Sequence, residues 1–409
     1  MAKDHLGLYL KRYAEPETAA ISQALGTTLS GSRHYQHCVV IPAYNESADF
    51  FDHIHQSALG KQSLLVIVIV NQPVADHNSE FNKRLWHTLS QRGHAAPIGE
   101  HHYLLSFDHK AVQLLVCDYF SENRRLGDKQ GVGLARKLGC DIACGLRHQG
   151  LIKSPWLHTS DADTQLPDDY FSDLPDPGHY SALTYPYRHI GVNRTITEAT
   201  LRYERALHYY VDGLKYAGSA YAFHTLGSCI AVNIDDYAKV RGFPKRAGGE
   251  DFYLLNKLAK LGKVAEANSE PLLIAARLSQ RAPFGTGAAV NAILALDKGE
   301  CYRYYNPQVF VELARVLSQL DYLYDFKEDW DTWFKGLSQR LQAALLAINV
   351  QHLFMHLSSQ VFDRAQFNKQ IHHWFDAFKT LRFIHSLEAD LPRLPLEQAV
   401  KDFSLMISK

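Results

Sequence analysis

A chain of 409 residues with Lys plus Arg equal to Asp plus Glu, at 43 each, carries no net charge, which excludes the strongly basic balance of a protein built chiefly to hold nucleic acid. Hydrophobic residues make up 46%, enough for a substantial core, so wholesale disorder is excluded as well. At ~100–200 residues per domain, the length implies two units, or one large unit with an extension.

Met1 to Leu10 is charged at Lys3 and Asp4 and has no long apolar stretch, so no secretory signal is expected. Residues 1–35 read as a polar N-terminal arm, helical around Leu6 to Leu25. From His37 short apolar runs alternate with helical spacing. Cys38–Ile41, Leu64–Val70, Leu114–Cys117, Trp156–Thr159 and Ser181–Tyr185 are predicted strands, and Phe50–Leu59 and Gly133–Leu146 are predicted helices between them. Strands alternating with helices imply an α/β domain with a mainly parallel sheet over residues 36–300, functional loops lying beyond the carboxyl ends of the strands. Leu64–Val70 is the longest aliphatic run, far short of the ~20 residues a spanning helix needs. With six cysteines, this points to a reducing, cytoplasmic setting. Cys140 and Cys144 are four apart with no further ligand at zinc-like spacing, and are read as structural.

After Tyr305 the strands are expected to stop, leaving a helical extension over 301–409. Val309 to Leu320, Trp330 to Ile348 and Phe367 to Leu381 each place apolar residues on one helical face. Core packing is the reading of these aromatic stripes, ahead of an acceptor or membrane-surface platform.

Asp161-Ala162-Asp163 follows a predicted strand. Two carboxylates one residue apart at a strand end can share a cleft and hold a hard cation through oxygen, although a solvated turn carries such pairs too. Val39–Glu46 is a strand running into a loop, with Tyr44 offering a ring on which a base can stack. Gly131-Val132-Gly133 opens a helix, its glycines permitting close backbone approach, with Arg136 in reach of a phosphate. Gly248-Gly249-Glu250-Asp251 precedes the predicted helix Phe252–Leu261; the acidic pair suits the helix N-terminus and also suits a general base with a neighbour that binds hydroxyls. Ser279-Gln280-Arg281 precedes a glycine-bearing loop able to close over a diphosphate.

In order, Ile41-Pro42-Ala43-Tyr44-Asn45-Glu46, the helix start at Gly133–Arg136, Asp161-Ala162-Asp163, Gly227-Ser228, Gly242-Phe243 and Gly249-Glu250-Asp251 resemble glycosyltransferase family 2 of the GT-A fold, over about residues 36 to 285. The resemblance implies a Rossmann-type mixed sheet flanked by helices and a sugar transfer from a nucleotide-diphosphate sugar to an acceptor hydroxyl. Pro42, Tyr44 and Glu46 would lie at the base and ribose. Asp161 and Asp163 would hold Mn²⁺ or Mg²⁺, with Asp161 also at the ribose. Asp251 would be the base of an inverting displacement, Glu250 its neighbour at the acceptor, and Arg281 would neutralise the departing diphosphate. The family pattern is broken where the second strand ends in Asn71-Gln72-Pro73 rather than an acid, so Asn71 would meet the base with other donors and acceptors. Processive members carry Gln-x-x-Arg-Trp; here the Trp is missing, which favours a non-processive enzyme. The acceptor, a metabolite, lipid carrier, glycan or protein, stays open. So do a retaining transferase of the sugar-glycerate type and a catalytically silent scaffold that binds a partner.

Overall fold

The structure, a computed structural model, describes residues 4–29, 34–279, 285–297, 299–359 and 362–408. Two helices, α1 (His5–Arg12) and α2 (Pro16–Leu29), open the chain. The predicted single helix is broken at Pro16, which lacks an N–H and suits only a first turn. There follow β1 (His37–Ala43), α3 (Asp49–Gln56), β2 (Leu64–Asn71), α4 (Glu80–Ser90), β3 (His94–Pro97), β4 (His102–Ser106), β5 (Gln113–Tyr119), α5 (Gly131–His148), β6 (Trp156–Thr159), β7 (Thr164–Gln165), β8 (Tyr180–Thr184), β9 (Tyr187–Ile190), α6 (Arg194–Tyr216), β10 (Ile230–Asn233), α7 (Ile234–Lys239), α8 (Glu250–Leu258), β11 (Lys263–Glu266), β12 (Leu272–Ala275) and α9 (Thr286–Leu294).

Among the described residues nine strands form one sheet, in the order β11-β8-β10-β6-β1-β2-β5-β4-β3. Only β10 and β4 run against the rest of that sheet. The expected mainly parallel, mixed sheet flanked by helices is therefore present. β1, β2 and β5 are near-continuous runs of Val, Ile and Leu because both of their faces are covered. Val39, Ile41, Val66, Val68 and Val116 point to one face and share a core with Phe50, Phe51 and Ile54 of α3 and Leu85 and Leu89 of α4. Each such burial contributes ~1.5–3 kcal/mol. α5 lies on the other face. Its Gly139 sits so near the sheet that a Cβ there would stand 2.3 Å from Val40 Cγ1. A second sheet, β7-β12-β9, pairs β12 antiparallel with β7 and parallel with β9. Through it the Ala275 N–H donates to Asp163 O at 2.9 Å, tying the end of β12 to the loop after β6.

The chain divides into two compact units, residues 1–200 with 225–288, and residues 201–224 with 289–409. The N-terminal arm thus belongs to the sheet unit, where α1 and α2 pack on α5. The helical unit takes in part of α6, a segment read from the sequence as part of the α/β domain. It contains β13 (Arg303–Tyr304), α10 (Gln308–Leu317), α11 (Trp330–Lys335), α12 (Gln339–Ala347), α13 (Val350–Ser358), α14 (Arg364–Trp374), α15 (Ala377–Ser386), β14 (Leu394–Pro395) and α16 (Leu396–Ile407). Phe310, Trp333, Phe367, Phe375, Phe383 and Phe403 build its core, and Trp330 stacks on Phe354 with ring centroids 4.3 Å apart. The stripe from Trp330 to Ile348 is split between α11 and α12, because Ser338 caps the second helix. The expectation that strands stop at Tyr305 fails for Leu394–Pro395, which pairs with β13; two residues are too few to carry a periodicity.

Candidate active site

The sequence-predicted acids and Arg136 converge beyond the carboxyl ends of β1 and β6. Helix α5 supplies Arg136, whose side chain is 3% exposed. Its Nε donates to Glu250 Oε1 at 2.9 Å, Nη1 to Ser160 O at 3.0 Å and Nη2 to Asp161 Oδ1 at 2.6 Å. One guanidinium thus ties the loop after β6 to the start of α8. Gly227 closes over it, since a Cβ there would lie 2.5 Å from Nη2. The glycines at the start of α5 do permit a close backbone approach, and the backbone that approaches is the chain's own. Gly133 N–H donates to Arg246 O at 2.9 Å, and a Cβ on Gly131 would lie 2.8 Å from Ala247 Cα. The same loop ends at Gly249, whose φ of +69° suits glycine, and so turns Glu250 and Asp251 into the first turn of α8.

A second guanidinium answers Glu46 and Asp163. Arg277, just past β12, donates from Nη1 to Glu46 Oε2 at 2.8 Å and from Nη2 to Glu46 Oε1 at 2.6 Å, and Nη2 also lies 2.7 Å from Asp163 Oδ2. Sequence reasoning missed Arg277 because β12 was not read as a strand; an Arg directly after Leu-Leu-Ile-Ala-Ala was the available signal. Arg281 lies outside the described residues.

This setting shifts the groups. Asp251 is raised to about 7 by burial and by Glu250 beside it, against the Phe252 N–H and Arg136. Asp163 is raised by burial and by Asp161, with Arg277 opposing. Burial alone would lower both guanidinium groups. Asp161 and Glu250 outweigh it at Arg136, and Glu46 and Asp163 at Arg277, so both are raised. Asp251 can therefore exchange a proton near neutrality, while the arginines are fixed positive charges.

The donor chemistry fits a hard divalent cation. Asp161 and Asp163 offer carboxylate oxygens, a guanidinium already stands as the cation between Asp163 and Glu46, and the Ser160 hydroxyl is buried without a hydrogen-bond partner. Among the described residues no group of three His, Cys, Asp or Glu is arranged to hold a metal ion unaided.

Beside these acids lies a polar cluster at the ends of β1 and β2, gathered around the Asp76 carboxylate. Tyr44 donates to Asp76 Oδ2 at 2.5 Å, and Gln72 Nε2 to Asp76 O at 2.7 Å. Asn45, at φ +55°, donates its N–H to Asn82 Oδ1 at 2.9 Å, and Asn82 Nδ2 reaches Asn71 O and Gln72 Oε1, both at 3.1 Å. Asn71 Oδ1 is buried without a hydrogen-bond partner. Asp76, in the chain that follows β2, brings a carboxylate to this cluster that the sequence reading did not single out. Pro42 lies inside β1 opposite Ile69 and brings no polar side chain to the site.

Two other histidines and two cysteines lie in buried surroundings. His158 is fully buried, bonded to Tyr185 at 3.1 Å, and lowered by that burial. His224 is lowered to about 4 by burial, with its ring centroid 4.6 Å from that of His208. Cys140 and Cys144 are free and buried.

No family model matches this sequence, and no curated protein matches it. Among solved structures, the chain is similar to S. aureus TarS 1-349 in complex with UDP-GlcNAc, with a TM-score of 0.38 and 11% identity over 87% of this chain and 91% of that one. It is also similar to the mannosyltransferase PcManGT from Pyrobaculum calidifontis in complex with GDP-Man and Mn²⁺, with a TM-score of 0.36 and 16% identity over 86% of this chain and 97% of that one.

Proposed function

We propose that this chain is a glycosyltransferase that moves a sugar from a nucleotide-diphosphate sugar to an acceptor hydroxyl, inverting and non-processive, with Asp251 as general base. The observation that carries the reading is the convergence of Glu46, Asp161, Asp163, Glu250 and Asp251 on Arg136 and Arg277, at the strand ends where an α/β sheet binds ligands. Burying Arg136 and Glu250 and crowding three further acids beside them costs desolvation and like-charge repulsion, which a purely structural role would not call for.

In this reading the acceptor oxygen bonds to the anomeric carbon as the bond from that carbon to the diphosphate oxygen breaks. Asp251 takes the hydroxyl proton, and its rise to about 7 suits a base working near neutral pH. That basicity supports the inverting course over the retaining one. Glu250, held by Arg136, fixes the first turn of α8 and with it the direction of Asp251. Arg136 holds Asp161 from behind and leaves the other face of that carboxylate for the ligand. Asp161 and Asp163 would hold Mn²⁺ or Mg²⁺, which when bound supplies charge neutralisation on the departing nucleoside diphosphate. Tyr44, Asn71 and Asp76 form the polar wall beside the acids where base and ribose would rest, and Arg281 remains a candidate partner of the diphosphate. Among the described residues no helix is long and apolar enough to cross a membrane.

The test is a thermal-shift panel of nucleoside diphosphates and nucleotide sugars, with and without Mn²⁺, on the wild type and Asp163→Ala. One nucleotide should stabilise the wild type in a Mn²⁺-dependent way, and the variant should lose that shift. No stabilisation by any nucleotide would leave a silent scaffold as the better account.

A further inference from the structure

The two arginines of the site are held differently. Arg136 is sealed within α5, with Gly227 over it and donor nitrogens on Glu250, Ser160 and Asp161. Arg277 lies past the end of β12 and its side chain is 35% exposed, yet it spends its fork on Glu46 and sets Nη2 2.7 Å from Asp163 Oδ2. That oxygen belongs to one of the two carboxylates proposed to hold the divalent ion. Asp163 is partly buried beside like charges, Asp161 and Glu46, and Arg277 opposes them.

We infer that Arg277 is a built-in counter-cation of Asp163, and that the guanidinium and a divalent ion are mutually exclusive occupants of its Oδ2. A metal–oxygen bond of ~2.0–2.6 Å and a guanidinium bond to the same oxygen would bring two cations into close repulsion. The ion therefore binds Asp161 and Asp163 as Arg277 leaves Asp163 and stays on Glu46 or turns to solvent, which its partial exposure allows. The ion-free site is held closed by its own positive charge, so that ion affinity is set low by Arg277. The inference rests on the proposed role of Asp161 and Asp163 as ion ligands.

The test uses the full chain without nucleotide. Mn²⁺ binding is measured by the electron-paramagnetic-resonance signal of free Mn²⁺ and by calorimetry for the wild type, Arg277→Gln and Arg277→Lys. Arg277→Gln should bind Mn²⁺ about tenfold tighter or more, since a competing cation is gone, and Arg277→Lys should stay near the wild type. A second measurement needs no variant: Mn²⁺ should speed the modification of Arg277 by phenylglyoxal, read at that residue by peptide mass spectrometry. Mn²⁺ affinity of Arg277→Gln equal to or weaker than that of a binding wild type would overturn the inference, as would labelling of Arg277 that Mn²⁺ leaves unchanged or slows. Nucleotide binding is scored separately. If the exchange occurs and no nucleotide binds, the exchange stands and the transferase reading falls; if a nucleotide binds and no exchange occurs, the reverse holds.

Discussion

The two units of the chain handle charge in opposite ways. In the sheet unit Arg136, Lys137, Asp141 and Glu250 are buried and answered by one another or by neighbouring carboxylates. In the helical unit the pairs Arg364–Asp325, Lys335–Asp331 and Arg205–Glu397 sit in solvent around an aromatic core. Glu312 is the exception there, buried and bonded to Arg315 at 3.0 Å. An apolar core needs no buried charge to fold, and the helical unit builds its core almost wholly from aromatic and aliphatic side chains. The sheet unit keeps an arrangement that costs desolvation, and that is where a purpose other than stability is expected.

The comparison breaks first at Asp251. If the sheet unit's charges serve chemistry, Asp251→Asn should lower turnover ~10²–10⁴-fold while nucleotide affinity changes less than about twofold, because a base acts only in the transition state. Steady-state kinetics and calorimetry with the nucleotide found by the panel decide it. Equal losses in both would make Asp251 a structural residue.

The next contrast is between two arginines. Arg136→Met strips the partner from buried Glu250 and from Asp161, and should cost ~3–5 kcal/mol. Arg340→Met, in the helical unit, removes a half-exposed group 3.6 Å from Glu312 and 3.3 Å from Asp390 and leaves Arg315 in place, so it should cost about 0–1 kcal/mol. Chemical denaturation followed by hydrogen exchange in each unit measures both. Equal costs would erase the distinction between the units.

A pH series sharpens it further. Asp251 is raised from 3.8 to about 7, so the proposed base is deprotonated only above that value, and kcat/KM should climb about tenfold per pH unit below 7 and level off above. The sign for stability is opposite. The folded chain holds this proton more tightly than the unfolded chain, so the group's contribution is greatest at low pH and is lost as pH rises from about 4 through 7. Asp251→Asn should lack that decline, and thermal unfolding of both proteins at pH 5 and pH 8 reads the difference.

Much of the sheet unit was legible because its central strands are buried on both faces and spell themselves out as Val, Ile and Leu; Trp156–Thr159 was read to the residue. β11 and β12 have four residues each and went unread; β6 is as short, but the Asp-Ala-Asp motif directly after it marked a strand end. Missing β12 meant missing Arg277. The acids of the site were legible as motifs at strand and helix ends. What answers them was not, because ion pairing across 231 residues between Glu46 and Arg277 leaves no local trace. Asp76 escaped for the same reason: its place beside Tyr44 depends on a return of the loop after β2 that no spacing encodes.

The smallest effect concerns the arm. Tyr9 of α1 donates to Asp141 Oδ1, and Lys137 Nζ donates to Tyr9 Oη and to Asp141 Oδ2, both at 2.8 Å. All three are buried, and Lys137 adjoins Arg136 on α5. Glu15 N–H also donates to Asp141 Oδ2 at 2.8 Å, and Glu15 pairs with Lys245 at 3.2 Å in the loop that leads to Glu250. The arm therefore holds the back of the helix and loop that carry the site. Tyr9→Phe removes one hydroxyl but leaves Asp141 with Lys137 and the Glu15 N–H, so no charge is stranded, and the cost should be ~1 kcal/mol. The same change should loosen residues 241–249 more than the helical unit, read as faster hydrogen exchange there with exchange in α10–α16 unchanged. A loss above ~3 kcal/mol would mean that the phenol is needed to keep the Lys137–Asp141 pair buried, and that the arm is part of the site's charge balance rather than a brace behind it.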